Sequence, residues 1–257
     1  MRTIIEHLSR GVVLKRKLPK RFSSLPIYVS PDSALKFWFK NFEGNDVTLL
    51  KMCTELVQEN SVVWDIGANV GVFAFAAAAL AGPQGMVLAV EPDLFLTSLL
   101  QKTTELQRRN EKKIARVDIL PMAISDQVGV VKFNIAARGR STNFLDCTKG
   151  VEEAGGIRET TSVMSVTLDW LVDYYPAPDV VKIDVETAEF LVLKGATRLL
   201  REIRPVIFCE IFPFDEKRYY VEKLMKENNY ILYNARDEHS KRIEFINPDS
   251  DVLAVPQ

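Results

Sequence analysis

The chain has 257 residues, 47% of them hydrophobic and 26% charged, which suits one α/β-sized domain with a substantial core and excludes disordered, collagenous and coiled-coil classes. Lys plus Arg total 33 against 34 Asp plus Glu, a net charge of -1, so no global field draws the protein to nucleic acid or to an anionic membrane. Cys53, Cys147 and Cys209 are too few and too scattered for a disulfide framework or a Cys-x-x-Cys zinc site and suggest a reducing, cytoplasmic setting, while His7 and His239 alone do not supply a His-rich metal site or a Ser-His-Asp triad.

In chain order, residues 1–60 read as an N-terminal arm with some helix and strand. Arg2, Arg10, Lys15, Arg16, Lys17, Lys20 and Arg21 face the single acid Glu6 over the first 21 positions, and no apolar stretch there is long enough for a signal peptide. From Ser61 short apolar runs alternate with longer amphipathic ones, the rhythm of βαβ units on a parallel sheet. Strands are expected over 62–66, 86–90, 115–122, 180–185 and 205–211, and helices over 70–80, 94–110, 188–202 and 215–228. Three closing antiparallel strands follow at 230–233, 242–246 and 251–255, the last two joined by the Asn247-Pro248-Asp249 turn. The run 70–81 is too short for the roughly 20 residues of a bilayer span. The rhythm breaks at 128–168, where two strands, 128–135 and 160–168, flank the Gly-, Ser- and charge-rich segment 138–156. That segment is expected to be a lid over the acceptor, with Arg138, Arg140, Ser141 and Asn143 as hydrogen-bond donors to a hydroxylated or anionic group. The expected organisation is an extension over 1–60 and a catalytic domain over 61–257 with an insertion at 128–168.

Two constellations carry chemistry. The first is Asp65-Ile66-Gly67-Ala68-Asn69-Val70-Gly71, a buried strand turning into a helix, with glycines that permit positive φ and close approach of a ligand. Glu91 follows Gly71 by 20 residues at the end of the next apolar strand, where an acid can accept from both ribose hydroxyls. Asn69 and Val72 stand where a dinucleotide fingerprint needs glycine, and no phosphate-cradling Gly-Lys-Ser/Thr loop exists. Asp65 suits an ammonium and a sulfonium better than a pyrophosphate, so S-adenosylmethionine is the expected ligand, and an NAD-dependent oxidoreductase or a non-catalytic adenosine-binding module is the alternative. The second constellation is Val180-Val181-Lys182-Ile183-Asp184-Val185-Glu186-Thr187, where a period of two puts Lys182, Asp184 and Glu186 on one face. Glu210 ends the next apolar strand and is expected beside Asp184. Phe208 reads as core, while Phe212 and Phe214 lie beyond the strand as candidate substrate contacts.

These motifs, with Glu91-Pro92, Ala123-Ile124-Ser125-Asp126, Leu193-Lys194-Gly195-Ala196, Arg204-Pro205 and Val29-Ser30-Pro31-Asp32, resemble the FkbM family of S-adenosylmethionine-dependent methyltransferases over roughly residues 27–210. Thr187 stands where the family usually has Gly. The resemblance implies a class I Rossmann-like fold: a mostly parallel sheet with an antiparallel C-terminal strand and helices on both faces. It implies that Asp65, Gly67, Asn69 and Gly71 contact the methionine part of the cofactor, Glu91 the ribose, and the strand end at Met122 and Ala123 the adenine. It also implies O-methylation of a hydroxyl on a sugar, polyketide or other small molecule, leaving S-adenosylhomocysteine. Asp184, Glu186 and Glu210 are the candidate bases, and the same acids leave an oxygen-ligated divalent metal open. No nucleic-acid partner is expected.

Overall fold

The structure, a computed structural model, describes residues 2–39, 42, 46–111, 113–148, 150, 152–211, 218–237, 242–246 and 251–257. The chain starts with helix α1 (Arg2–Leu8), an antiparallel hairpin of β1 (Leu14–Lys17) and β2 (Pro26–Val29), and helix α2 (Val47–Leu56). The expected arm is therefore built into the domain: Phe22, Leu25, Ile27 and Val29 are fully buried in the same cluster as Val63, Phe73 and Phe75. Their burial outweighs the solvation of the basic residues between them, whose charged heads stay in water.

Next come β3 (Val62–Ile66), α3 (Val72–Ala81), β4 (Met86–Val90), α4 (Leu94–Arg109) and β5 (Arg116–Leu120). Along β3, Trp64 and Ile66 enter the core on one face of the sheet while Val63 enters the other. The alanines of α3 let it lie close to the strands, and Phe73 and Phe75 fill the remaining space. Truncating either to Ala is worth about 3–5 kcal/mol of stability. Asp93 caps α4, its Oδ1 accepting from Phe95 N at 2.8 Å.

The strand expected over 115–122 stops at Leu120. Pro121 has no N–H for the ladder, and after Met122 the chain joins a second sheet as β6 (Ala123–Ile124). That sheet holds β7 (Gly129–Ala136), β8 (Phe144–Leu145) and β9 (Ile157–Val166) in the order β6-β9-β7-β8. The insertion thus contributes three strands, which with β6 make a four-stranded sheet, rather than two strands around an open loop.

The chain returns through α5 (Leu168–Leu171) to β10 (Val180–Ile183), α6 (Glu189–Lys194) and β11 (Val206–Cys209), then α7 (Arg218–Glu227), β12 (Tyr230–Asn234), β13 (Arg242–Ile243) and β14 (Val252–Pro256). The single helix expected over 188–202 is broken. Gly195 packs on Ser125, whose carbonyl oxygen an added Cβ would meet at 2.4 Å, and a separate π-helical turn, Leu199–Ile203, begins where the Arg198 and Leu199 N–H groups donate to the Asp169 carboxylate. The eight-stranded sheet runs β13-β12-β14-β11-β10-β3-β4-β5, with β11 through β5 parallel and β14 antiparallel to both neighbours. The hairpin expected between the last two strands is not formed: β13 and β14 pair with opposite edges of β12. The proposed 247–249 turn, His239, Phe212, Phe214 and the first turn of the helix expected from 215 lie outside the described residues. Among the described residues, no helix is long and apolar enough to cross a membrane.

Candidate active site

A cavity of about 610 Å³ opens at the carboxyl ends of β3, β4, β10 and β11, walled on its far side by the insertion sheet, by Ser33, Ala34, Lys36 and Phe37, and by residues 46–49. Ligand crevices of α/β sheets lie at this edge because the helices that follow the strands begin there. The turn after β3 shapes its floor. Gly67 takes φ +78°, and a Cβ on it would meet the Asp184 carbonyl oxygen at 1.8 Å, so only glycine fits between the two strand ends. Gly71 takes φ +86° against Leu100 and Phe75. Asn69 is left-handed as well, at φ +52°, with its Oδ1 accepting from Val70 N at 2.8 Å and Ser33 Oγ at 2.6 Å.

Glu91 ends β4 and is buried beneath this turn. Its Oε2 accepts from Asn69 N at 2.8 Å and its Oε1 from Asp93 N at 2.9 Å. Burial outweighs these two donors and pushes the carboxyl up to about 8. Each oxygen keeps a second lone pair, so the group can still accept from two hydroxyls of a ligand in the cavity. Met122 and Ala123 line the same wall one strand further on.

Asp65 does not line the cavity. It is fully buried behind the turn and faces Lys182, whose Nζ lies 3.1 Å from Asp65 Oδ1 and 3.2 Å from Asp184 Oδ2 and donates to the Gly67 carbonyl at 2.8 Å. Burial raises the Asp65 carboxyl despite the lysine, and it also opposes the charge on Lys182, which the two aspartates nonetheless hold above the usual lysine range. Lys182 thus pins the β3 turn to the end of β10.

Asp184, Glu186 and Glu210 all line the cavity, though not by the alternation that the sequence suggests. β10 ends at Ile183, and Glu186 and Thr187 follow in left-handed conformations at φ +47° and +72°. Asp184 N bonds to Ile66 O at 3.0 Å and Glu210 N to Ile183 O at 2.9 Å, which brings three carboxylates to adjacent strand ends. Repulsion from Asp184, then burial, pushes Glu210 up to about 8. Burial, then Asp184, raises Glu186 well above the carboxylate range. Phe208, expected as core, is buried in a cluster with Met52 and Leu253 and also touches the cavity. Among the described residues, no three His, Cys, Asp or Glu side chains form a group suited to holding a metal ion.

The insertion residues sit differently from the expectation of a free lid. Arg140 Nε is 2.9 Å from Asp32 Oδ2 and its Nη1 is 2.6 Å from Asp93 Oδ2, while Asn143 Nδ2 donates to the same Asp93 oxygen at 2.8 Å. Arg158 holds the other side of Asp32 at 2.7 Å. Arg140 N and Ser141 N bond to the carbonyls of Asp32 and Ser33. Arg140, Ser141 and Asn143 line the cavity on the Glu91 side, whereas Arg138 lies off its wall and packs on Gly155. Sequence reading did not find Asp93 as a site residue, although an acid just before a helix is a capping signal. It also did not find the cavity's two further ion pairs, Lys36–Asp46 at 2.6 Å and Arg236–Asp251 at 2.9 Å, for which no local signal exists.

Comparison with known families finds the methyltransferase FkbM domain over residues 65–232. The chain belongs to the FkbM methyltransferase family. Its cofactor is S-adenosylmethionine, which the Gly67 turn and the buried Glu91 fit, and the NAD-dependent reading is set aside. A curated relative, the hexuronic acid methyltransferase AglP of Haloferax volcanii, is 29% identical over 164 residues, covering 62% of this chain and 59% of the relative. This FkbM chain therefore aligns with less than two thirds of that protein. Among solved structures, a precorrin-6y C5,15-methyltransferase from Geobacter metallireducens superposes with a TM-score of 0.50 at 17% identity, covering 88% of this chain and 93% of that one. An FkbM methyltransferase from Methylobacillus flagellatus superposes with a TM-score of 0.49 at 13% identity, covering 80% and 50%. The first likeness and the strand order together identify the class I methyltransferase fold.

Proposed function

We propose that this FkbM enzyme methylates a hydroxyl group of a sugar or similarly hydroxylated small molecule. The carrying observation is the trio Asp184, Glu186 and Glu210 at adjacent strand ends beside the Gly67 turn. The relative named for a hexuronic acid supports a sugar acceptor.

When bound, S-adenosylmethionine supplies the electrophilic methyl group. Gly67, Asn69 and Gly71 hold its methionine part, Glu91 accepts from the ribose hydroxyls, and Met122 and Ala123 border the adenine. Asp65 acts on the ligand through Lys182, which fixes the turn, rather than by contact. In-line displacement asks the protein chiefly for alignment of the nucleophile. Asp184, held by Lys182 at 3.2 Å, orients the acceptor, and Glu210 takes the hydroxyl proton. A carboxylate whose basicity lies near the working pH is suited to that transfer, an effect of about 10²- to 10⁴-fold. Arg140 and Asn143 serve the cofactor side, leaving the Ser141 hydroxyl, among the described cavity-lining residues of the insertion, to the acceptor. The unpaired cysteines Cys53, Cys147 and Cys209 fit a cytoplasmic location.

Labelled methyl transfer from S-adenosylmethionine to a panel of sugars and polyols tests the reading. Glu210→Gln is expected to lower turnover by about 100-fold with cofactor affinity unchanged. Absence of transfer to any hydroxyl, or equal loss of cofactor binding in the variant, refutes it. Assay with and without a chelator reports on an added divalent cation.

A further inference from the structure

We propose that Glu186 and Glu210 make the acceptor subsite selective against anionic sugars, so that this chain methylates an uncharged sugar ring rather than a uronic acid. The inference rests on the sugar O-methylation reading above.

The argument is a census of charge around the cavity. Among the described residues, four basic side chains line it: Lys36, Arg140, Lys182 and Arg236. Each is already paired with a buried carboxylate. Lys36 holds Asp46 at 2.6 Å, Arg140 holds Asp32 and Asp93 at 2.9 and 2.6 Å, Lys182 holds Asp65 at 3.1 Å, and Arg236 holds Asp251 through two contacts of 2.9 Å. A uronate is recognised by an Arg or Lys that can meet its carboxylate. Recruiting any of these four would strand a buried aspartate without its counter-charge.

The carboxylates are not balanced in the same way. Six line the cavity, and three of them, Glu91, Glu186 and Glu210, have no basic partner within 4 Å among the described residues; Glu91 is taken up by the Asn69 and Asp93 N–H groups on the cofactor side, which leaves Glu186 and Glu210. Their place assigns them to the acceptor rather than to the cofactor. Glu210 follows β11, two strands away from the Gly67 turn, a separation of roughly 10 Å at about 4.8 Å per strand. Burial, then Asp184, raises Glu186, and Asp184, then burial, raises Glu210. Either protonation state serves hydroxyls, because a carboxylate accepts from O–H and a carboxylic acid donates to oxygen. A uronate carboxylate placed among them meets the cluster of Asp184, Glu186 and Glu210 and, among the described residues, no lining cation that is not already paired.

The test uses the full chain with S-adenosylmethionine and two sets of acceptors, methyl glucoside and methyl galactoside against the corresponding methyl glucuronide and methyl galacturonide. Methyl transfer is counted, and binding to the S-adenosylhomocysteine complex is followed by saturation-transfer NMR. The neutral glycosides are expected to be favoured by about 100-fold or more, the scale of like-charge exclusion at an interface. Glu186→Lys, checked for folding by its melting temperature and its affinity for S-adenosylhomocysteine, is expected to narrow or reverse the preference. Uronides that react or bind as well as the glycosides overturn the inference while leaving O-methylation of sugars intact. An unchanged preference in folded Glu186→Lys also overturns it. Absence of transfer and binding across all four compounds refutes the sugar reading beneath it.

Discussion

Lys182 and Asp65 face each other on adjacent parallel strands, with Nζ 3.1 Å from Oδ1 and both side chains out of solvent. Neither charge is tenable there alone, and the pair locks the cofactor turn by way of the Gly67 carbonyl. Lys182→Met is therefore expected to cost about 3–5 kcal/mol, because it leaves Asp65 buried without a counter-charge. The double substitution with Asp65→Leu is expected to recover much of that loss. Urea unfolding of the two variants checks the pairing, and a double variant no more stable than the single one counts against it.

With Glu91 as the proposed ribose acceptor, cofactor binding is expected to depend on pH. Its carboxyl stands near 8 in the free protein, above the ordinary 4.5, so the folded chain holds this proton more tightly than the unfolded chain does. Stability from this group is present below the ordinary value and is lost as pH rises through about 8. Ribose hydroxyls donate to the charged form, so binding is expected to release a proton near neutral pH and to tighten as pH rises toward 8. Calorimetry in buffers of different ionisation heat measures the release. Glu91→Gln is expected to abolish it; the same proton release in that variant assigns the titration to another group.

Thr187 occupies φ +72°, a region that a β-branched residue adopts only under strain. The strain is worth about 1–3 kcal/mol, and the greater freedom of glycine in the unfolded chain offsets about 0.4–1 kcal/mol of it. Thr187→Gly is expected to raise stability by about 1 kcal/mol on these scales. A urea midpoint that stays put or falls contradicts the strain argument.

What the sequence made legible was local. The apolar run 62–66 followed by Gly67 and Gly71 specifies a strand-turn-helix unit by itself, and Glu91 closes the next strand with no help from tertiary structure. Pro121 and Gly195 also carried breaking signals, which the longer apolar patterns around them concealed. The rest was set at long range. Arg140 reads as a free donor in a polar loop until Asp32, 108 residues away, and Asp93, 47 residues away, are brought to it. The left-handed turn at Glu186 and Thr187 is likewise invisible to a period-of-two argument, because it is imposed where β10 ends against the Gly67 turn.

That long-range contact reverses an expectation about the segment 138–156. A lid over the acceptor could be cut away without disturbing the cofactor. Arg140 instead bridges the N-terminal segment to the cap of α4: it neutralises Asp93, whose backbone N–H holds Glu91 Oε1 at 2.9 Å and whose carboxylate starts the helix. With Arg140 removed, Asp93 keeps only Asn143 as a side-chain donor, and Asp32 keeps only Arg158. Arg140→Gln is therefore expected to lower stability by about 3–5 kcal/mol, the scale for breaking a buried ion pair, and to weaken cofactor binding by unsettling Glu91. Arg140→Lys, which keeps the charge but not the two-sided reach, is expected to fall between the variant and the parent. Arg138→Ala, off the cavity wall, is expected to leave cofactor binding unchanged. Calorimetric titration of S-adenosylhomocysteine into the three variants separates the cases, and full affinity in folded Arg140→Gln returns the segment to the acceptor side.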